Sequence, residues 1–350
     1  MWDPKLLLKR EPLKLDLEKI SSFLEGKVIC ITGAGGSIGS ELAKQIATFK
    51  PSLLILIDHH EYALYQIEQH MEGIKIKTHL LDLCDGDELK KIFHLYRIDL
   101  LFHAAAFKHV PLVEKNKTAG VKNNIIATYE LALLAREHKV RTFINISTDK
   151  ALKPMSMMGM TKWFAEKIIN SFAYDSQSVT RFSTVRFGNV LGSSGSVIPL
   201  FYDQLMNHKP LTITHPEAER YFMSIEEAVQ LVLLSATLTF QGEIFALVMG
   251  EPFNIQKLAL QMKELLAPHE KTDIIFTGLR PGEKLKEENL ISDDFLSTDY
   301  PQIKKTYESP WDKSTLDLHV RELKKLLRDS LEGGELKAYL QELYQKDSPR

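Results

Sequence analysis

From Lys27 onward the chain alternates strand-length apolar runs with stretches of amphipathic helical period, and a glycine-rich turn separates the first run from the first helical stretch. That order restricts the fold severely. Strands joined by helices must run parallel and be covered on both faces, which gives a doubly wound α/β sheet. Strands are predicted at 28–32, 53–58, 75–80, 100–105, 142–147 and 180–187. Helices are predicted at 37–49, 61–71, 89–96, about 118–138, and 159–174. Beyond Gly188 the alternation weakens, and Gly, Ser and Pro cluster up to Pro199, where a smaller lobe is expected to begin.

The turn Thr32-Gly33-Ala34-Gly35-Gly36-Ser37-Ile38-Gly39 lies directly between the first strand and its helix. Gly33, Gly36 and Gly39 permit a tight turn, close approach of backbone to a pyrophosphate, and close helix-to-strand packing. Gly35, Ser37 and Ile38 complete the cradle, and the helix N-terminus adds N–H donors and positive dipole. Asp58 ends the second strand, at the position where a carboxylate accepts the hydroxyls of an adenosine ribose, so the segment reads as a dinucleotide site. A carboxylate there repels a 2′-phosphate and favours NAD over NADP, while His59 and His60 weigh the other way. Asp82, followed by Leu83, suits the adenine amino group. His103-Ala104-Ala105-Ala106 closes the fourth strand with small residues, so the backbone of Ala104 and Ala105 can lie against the cofactor. His103 is expected to be structural, and with no second His or Cys at ligand spacing no metal is expected. The domain reading is an extension over 1–26, a Rossmann domain over 27–188, and a mainly substrate-binding lobe over 189–313. A late strand near 244–248 is expected to rejoin the sheet, and 314–350 reads as a charged, solvated helix pair broken at Gly333-Gly334.

Ser147-Thr148-Asp149-Lys150 follows the fifth strand, on the edge where doubly wound sheets carry their ligand sites. On a helix over 159–174, Met158 and Lys162 stand one turn apart at its entry and look toward Thr148. Lys162 is expected to bond the nicotinamide ribose and lower the pKa of neighbouring hydroxyls, and Thr148 to hold a sugar C4 hydroxyl. The arrangement resembles that of short-chain dehydrogenase/reductases, which place a tyrosine where Met158 stands. A thioether has no proton to give or take, so Asp149 and Lys150 read instead as the acid–base pair of an elimination. Met158 also reads as a core methionine beside Met155, Met157 and Met160.

With 44 basic against 46 acidic residues, no overall field draws nucleic acid or an anionic membrane, and substrate charge must be met locally. Cys30 and Cys84 form neither a disulfide framework nor a Cys-x-x-Cys motif. The longest apolar stretches, 98–107 and 229–240, are too short or too interrupted to span a bilayer, and the N-terminus carries Lys, Arg and Glu where a signal peptide is apolar. The expectation is a soluble, cytoplasmic protein.

Several blocks together resemble bacterial UDP-N-acetylglucosamine 4,6-dehydratases of the extended short-chain dehydrogenase/reductase superfamily, over nearly the whole chain. They are 32–41, His103-Ala104-Ala105-Ala106-Phe107-Lys108-His109-Val110-Pro111, 147–150, Arg186-Phe187-Gly188-Asn189-Val190, 215–223, and Gly278-Leu279-Arg280-Pro281-Gly282-Glu283-Lys284. Met158 resembles the branch of large membrane-anchored dehydratases, as does the Leu8-Lys9-Arg10-Glu11-Pro12 block, here without the membrane region. The resemblance implies that NAD takes the C4 hydride, that a partly neutral Lys150 removes the C5 proton, and that Asp149 protonates the departing C6 hydroxyl before hydride returns to C6. It implies retention at C5, with a C5-inverting dehydratase or a 4-epimerase as alternatives. Arg220, Arg280 and Lys209 would neutralise the diphosphate of a UDP-sugar; Asn189 and Ser194 would touch sugar or phosphate, and Glu283 the uridine ribose. Lys108 falls to both cofactor and sugar, Asn124 to the cofactor. A homo-oligomer is expected.

Overall fold

The computed structural model describes residues 15–71, 73–329 and 333–347; the 8–12 block lies outside them. Strands β1 (Val28–Thr32), β2 (Leu53–Asp58), β3 (Ile76–Leu80), β4 (Leu100–His103), β5 (Thr142–Thr148) and β6 (Arg181–Phe187) form a parallel sheet in the order β3-β2-β1-β4-β5-β6. A further strand, Ile244–Leu247, adds in parallel to β6, and Ile303–Thr306 and Leu296–Ser297 close that edge in antiparallel fashion. The inner strands read as continuous apolar runs because both faces are covered: all six residues of β2 are buried. The order reverses between β1 and β4, and there their C-terminal residues, Thr32 and His103, sit in register.

On one face the sheet packs against helices Ser37–Ala47 and Ile225–Thr237, and on the other against Ala127–Glu137 and Met157–Ala173. Every residue of Met157–Ala173 is buried. The reason is the C-terminal pair, Lys313–Asp329 and Gly334–Asp347, which lays Leu316, Val320, Leu323, Leu336, Leu340 and Leu343 against this region. The pair is therefore amphipathic and docked, not simply solvated; the charged residues that dominate its sequence occupy the outer face. Trp163 meets Trp311 and Tyr344 edge-on at 5.8 and 5.2 Å. Glu166 is buried with Arg186, whose Nε donates to Glu166 Oε1 at 2.9 Å.

The long helix predicted over 118–138 is interrupted by a π-helical turn at Lys122–Ile126. The wider turn buries Asn123 and Asn124, polar side chains that a regular amphipathic pattern would have left outside. A separate apolar cluster, built from helices Val197–Met206 and Ile255–Leu266 and the strand pair Leu211–Ile213 with Ile274–Phe276, stands at the C-terminal edge of the sheet.

Candidate active site

The glycine turn is fixed by space as well as by φ. Gly33 has φ +68°, and a Cβ there would lie 2.6 Å from the Ala105 backbone; a Cβ on Gly39 would overlap the Gly33 carbonyl oxygen. The small residues after β4 thus let two loops meet across the switch point. Asp58 is buried and already serves the turn: Gly35 N–H donates to its Oδ2 at 2.8 Å and His60 N–H to its Oδ1 at 2.9 Å. The helix that follows starts at Ser37 with Gly36 as its cap and no side chain capping it, which leaves first-turn N–H groups for a phosphate. Ser194 N–H donates to Ser37 Oγ at 3.1 Å, so the loop after β6 closes on this helix start. These features fit a dinucleotide. Asp82 is exposed and accepts the Cys84 N–H at 2.9 Å, Leu83 beneath it is buried, and Lys108 is exposed. His103 bridges Thr32 Oγ1 at 2.7 Å and Thr128 Oγ1 at 2.9 Å; burial pushes it down to about 3, so it is a neutral clamp between β1, β4 and a helix.

Asn124 is hydrogen-bonded within the protein. Its carbonyl oxygen accepts from Phe107 N–H and Asn123 Nδ2, and its amide donates to Phe107 O and Thr161 Oγ1, at 2.8–3.0 Å. It is spent inside the protein, tying the loop after β4 to the helix that carries Lys162.

That helix is held at its start. Ser156 Oγ accepts Gly159 N–H at 3.0 Å, Glu114 accepts Met157 N–H at 2.6 Å, and a Cβ on Gly159 would overlap the Lys150 carbonyl oxygen. Met158 is buried in the apolar cluster with Met157, Met160 and Phe164, so of its two readings the core one describes its surroundings. Lys162 is buried and donates to Ile146 O at 2.8 Å; desolvation, only partly offset by Glu166, lowers it to about 8.

Thr148, Asp149 and Lys150 form one array. Thr148 Oγ1 donates to Asp149 Oδ1 at 2.8 Å, and Lys150 Nζ donates to the same oxygen at 3.0 Å and to Asn189 Oδ1 at 3.2 Å. Asp149 is 1% exposed, and its Oδ2 is buried without a partner. Asp149 also lines a cleft of about 300 Å³ with Gly188, Tyr221, Met249, Glu251 and Asn289. The expected neutral Lys150 is not what the surroundings favour in this state: burial pushes it down, but Asp149 and Glu287 more than reverse that and hold the ammonium above its ordinary value.

Glu287, which sequence reasoning missed, pairs with Lys150 at 3.1 Å with its side chain 3% exposed. Nothing in its local stretch, Lys286-Glu287-Glu288, distinguishes it from surface charge. Arg220 is engaged within the protein. Its donors go to Glu283 Oε1 at 2.9 Å and to the Glu219 and Leu285 carbonyls at 2.7 and 2.9 Å, and its Nε lies 3.5 Å from Glu287 Oε1. Arg220 therefore braces two carboxylates. Glu283 is likewise engaged, by Arg220 and by Thr214 Oγ1 at 3.1 Å. Arg280 and Lys209 are exposed and make no ion pair among the described residues.

A glycine turn at the switch point, an acidic end to β2, and a Thr-Asp-Lys edge beside a buried helical lysine define an extended short-chain dehydrogenase/reductase. The chain belongs to the polysaccharide biosynthesis protein family, which matches residues 29–308. A capsular polysaccharide biosynthesis protein of Staphylococcus aureus is 43% identical over 91% of the chain, and the chain spans about half of that relative, 54%. A UDP-N-acetylglucosamine 4,6-dehydratase (inverting) of Campylobacter jejuni is 34% identical over 78% of the chain and 80% of its own length. A UDP-glucose 4-epimerase of Rickettsia felis is 33% identical with the same coverage. Among solved structures, Pen from Bacillus thuringiensis superposes with TM-score 0.77 at 31% identity, over 83% of this chain and 92% of its own. Among the described residues no helix is long and apolar enough to cross a membrane.

Proposed function

We propose that the chain is an NAD-dependent nucleotide-sugar 4,6-dehydratase that converts UDP-N-acetylglucosamine to its 4-keto-6-deoxy product, with C5 configuration retained, in the cytoplasmic making of a surface polysaccharide. One observation carries the reading: the hydrogen-bonded Thr148-Asp149-Lys150 array beside an open cleft, with a core methionine where a phenol would otherwise act. The dehydratase relative, which is named as inverting, supports the 4,6-dehydration and not the retention at C5, which rests on Met158. Asp58, Gly33 and the uncapped helix start would hold the cofactor, and the carboxylate favours NAD over NADP.

The bound nicotinamide supplies transient oxidation at C4 and reduction at C6. The protein's part is to move protons. Thr148 already donates to Asp149, so a C4 hydroxyl held by Thr148 passes its proton through that bond to Asp149. Asp149 then delivers it to the C6 oxygen, which leaves as water. Lys150 takes the C5 proton and later returns one to C5. The accounting closes: the C4 hydroxyl proton ends in the water, and no tyrosine is needed.

The epimerase relative motivates a second reading, since an epimerase shares the C4 oxidation and returns hydride to C4. Incubation with UDP-N-acetylglucosamine in deuterated water separates the two. A dehydratase releases water, builds a 6-methyl group and places deuterium at C5; an unlabelled C5 with inverted C4 means an epimerase. Proton NMR of fresh product showing inverted C5 would refute retention alone. We also propose self-association, through surfaces other than Met157–Ala173, whose face the C-terminal helices already cover; light scattering on the purified protein showing a monomer would refute it.

A further inference from the structure

The proposed mechanism needs a neutral amine at Lys150, and carboxylates at 3.0 and 3.1 Å favour its ammonium form. Asp149 cannot accept the surplus proton, because it must already carry the one from the C4 hydroxyl. One other base touches the ammonium: Glu287, 3.1 Å away, reaching in from a different loop, with Oε2 buried and without a partner. The loop is firmly placed. A Cβ on Gly282 would lie 2.8 Å from Ser156 Cβ, and Lys284 Nζ donates to Leu152 O at 3.2 Å, so both contacts fall on the segment that follows Lys150. Arg220 backs Glu287 from behind. Tyr221 and Glu251 are the other titratable groups on the cleft that Asp149 lines.

We propose that Glu287 is a positioning residue that stores the proton Lys150 must shed, switching the amine between its charged resting form and its neutral working form. The inference rests on the dehydratase reading above. Once Asp149 is protonated, Lys150 has one anionic partner left. Moving one proton breaks an N–H bond on Lys150, forms an O–H bond on Glu287, and turns a partly buried ion pair into a partly buried neutral pair, which desolvation at the buried Glu287 end favours. Lys150 then takes the C5 proton, the C5–H electron pair forms the C5–C6 double bond, and the C6–oxygen bond breaks as Asp149 gives its proton. When Lys150 returns a proton to C5 it is neutral again, and Glu287 gives back the stored proton to restore the resting state. No outside acid or base is consumed.

The test compares Glu287→Gln and Glu287→Asp with the wild type across pH. Glutamine cannot take the proton, so Lys150 must lose it to solvent. Turnover of Glu287→Gln should fall roughly 100-fold near neutrality and climb with pH by up to about tenfold per unit, where the wild type is flat. Glu287→Asp should recover part of the activity with a flat profile. A second readout uses neither substrate nor cofactor: pulse acetylation of the free protein with acetic anhydride, read at Lys150 by mass spectrometry, since only the neutral amine reacts. Removing the carboxylate should move the midpoint of labelling to lower pH. Wild-type turnover in Glu287→Gln overturns the inference, and so does an equal loss at every pH with an unmoved midpoint, which is a merely structural role. If the wild type releases no water from any UDP-sugar, the dehydratase reading fails and takes this inference with it. A dehydrating wild type with an indifferent Glu287→Gln sinks the inference alone.

Discussion

Lys162 and Lys150 stand at the same edge of the sheet, the first buried and the second half-buried, and their surroundings drive them in opposite directions. Lys162 ends on a backbone carbonyl and falls to about 8; Lys150 ends between two carboxylates and an amide oxygen and is held above its ordinary value. On the proposed reading the cofactor side is built from backbone, glycine, the Asp58 carboxylate and one lightly paired cation, from β1 to β5 and the helix after β5, with Ser194 closing on it from the loop after β6. The sugar side is built from side-chain charge, and it is completed only by a loop from the far end of the chain. Burial alone pushes a lysine down. On the proposed mechanism, the carboxylates that hold Lys150 charged also serve as the acceptors of its proton.

The sharpest break of that contrast is chemical. Asp149→Asn and Lys150→Ala should each cut dehydration by at least about 10³-fold while leaving NAD binding intact, measured by product formation and by titration calorimetry. Near-wild-type turnover in either variant would end the proposed mechanism. Lys162→Ala should cost about 10²-fold and weaken NAD binding as well, so the two lysines should separate by which ligand each loss affects.

Stability sharpens the comparison next. Lys150→Met leaves Asp149 and Glu287 buried without their shared cation and should cost about 3 kcal/mol in denaturant unfolding near neutral pH. Lys162→Met removes a buried cation with no direct carboxylate partner and should stabilise the fold by about 2 kcal/mol at neutral pH. The sign follows from the lowered pKa. Below about 8 the folded protein carries the full cost of the Lys162 charge, and between about 8 and the ordinary 10.5 the folded state sheds the proton before the unfolded state does. The advantage of Lys162→Met should therefore shrink as pH rises through that window; an advantage constant with pH would mean that burial of the charge is not its cause. The smallest effect belongs to cofactor affinity: NAD binding should weaken by a few-fold above about pH 8 as Lys162 loses its charge, and a flat titration would separate Lys162 from the nicotinamide side.

Much of this was legible in order and period. The alternation from Lys27, the turn from Thr32 to Gly39 and the acid at Asp58 placed the sheet, its switch point and the nucleotide end, because each signal lies within one element and its neighbour. The Thr148-Asp149-Lys150 array was legible for the same reason. Three features were not. The contacts of Arg220 with Glu283 and Glu287 join it to a distant loop. The C-terminal helices looked solvated because their charges outnumber the apolar stripe that docks on Met157–Ala173. The π-helical turn that faces Asn124 inward leaves no local mark.

The chain alone determined where strands and helices fall and which edge of the sheet carries chemistry, since period and turn geometry act over a few residues at a time. Tertiary structure alone decided the charge on each lysine. That depends on which carboxylates arrive within about 3 Å, and for Lys150 one of them arrives from a loop that no local pattern connects to it.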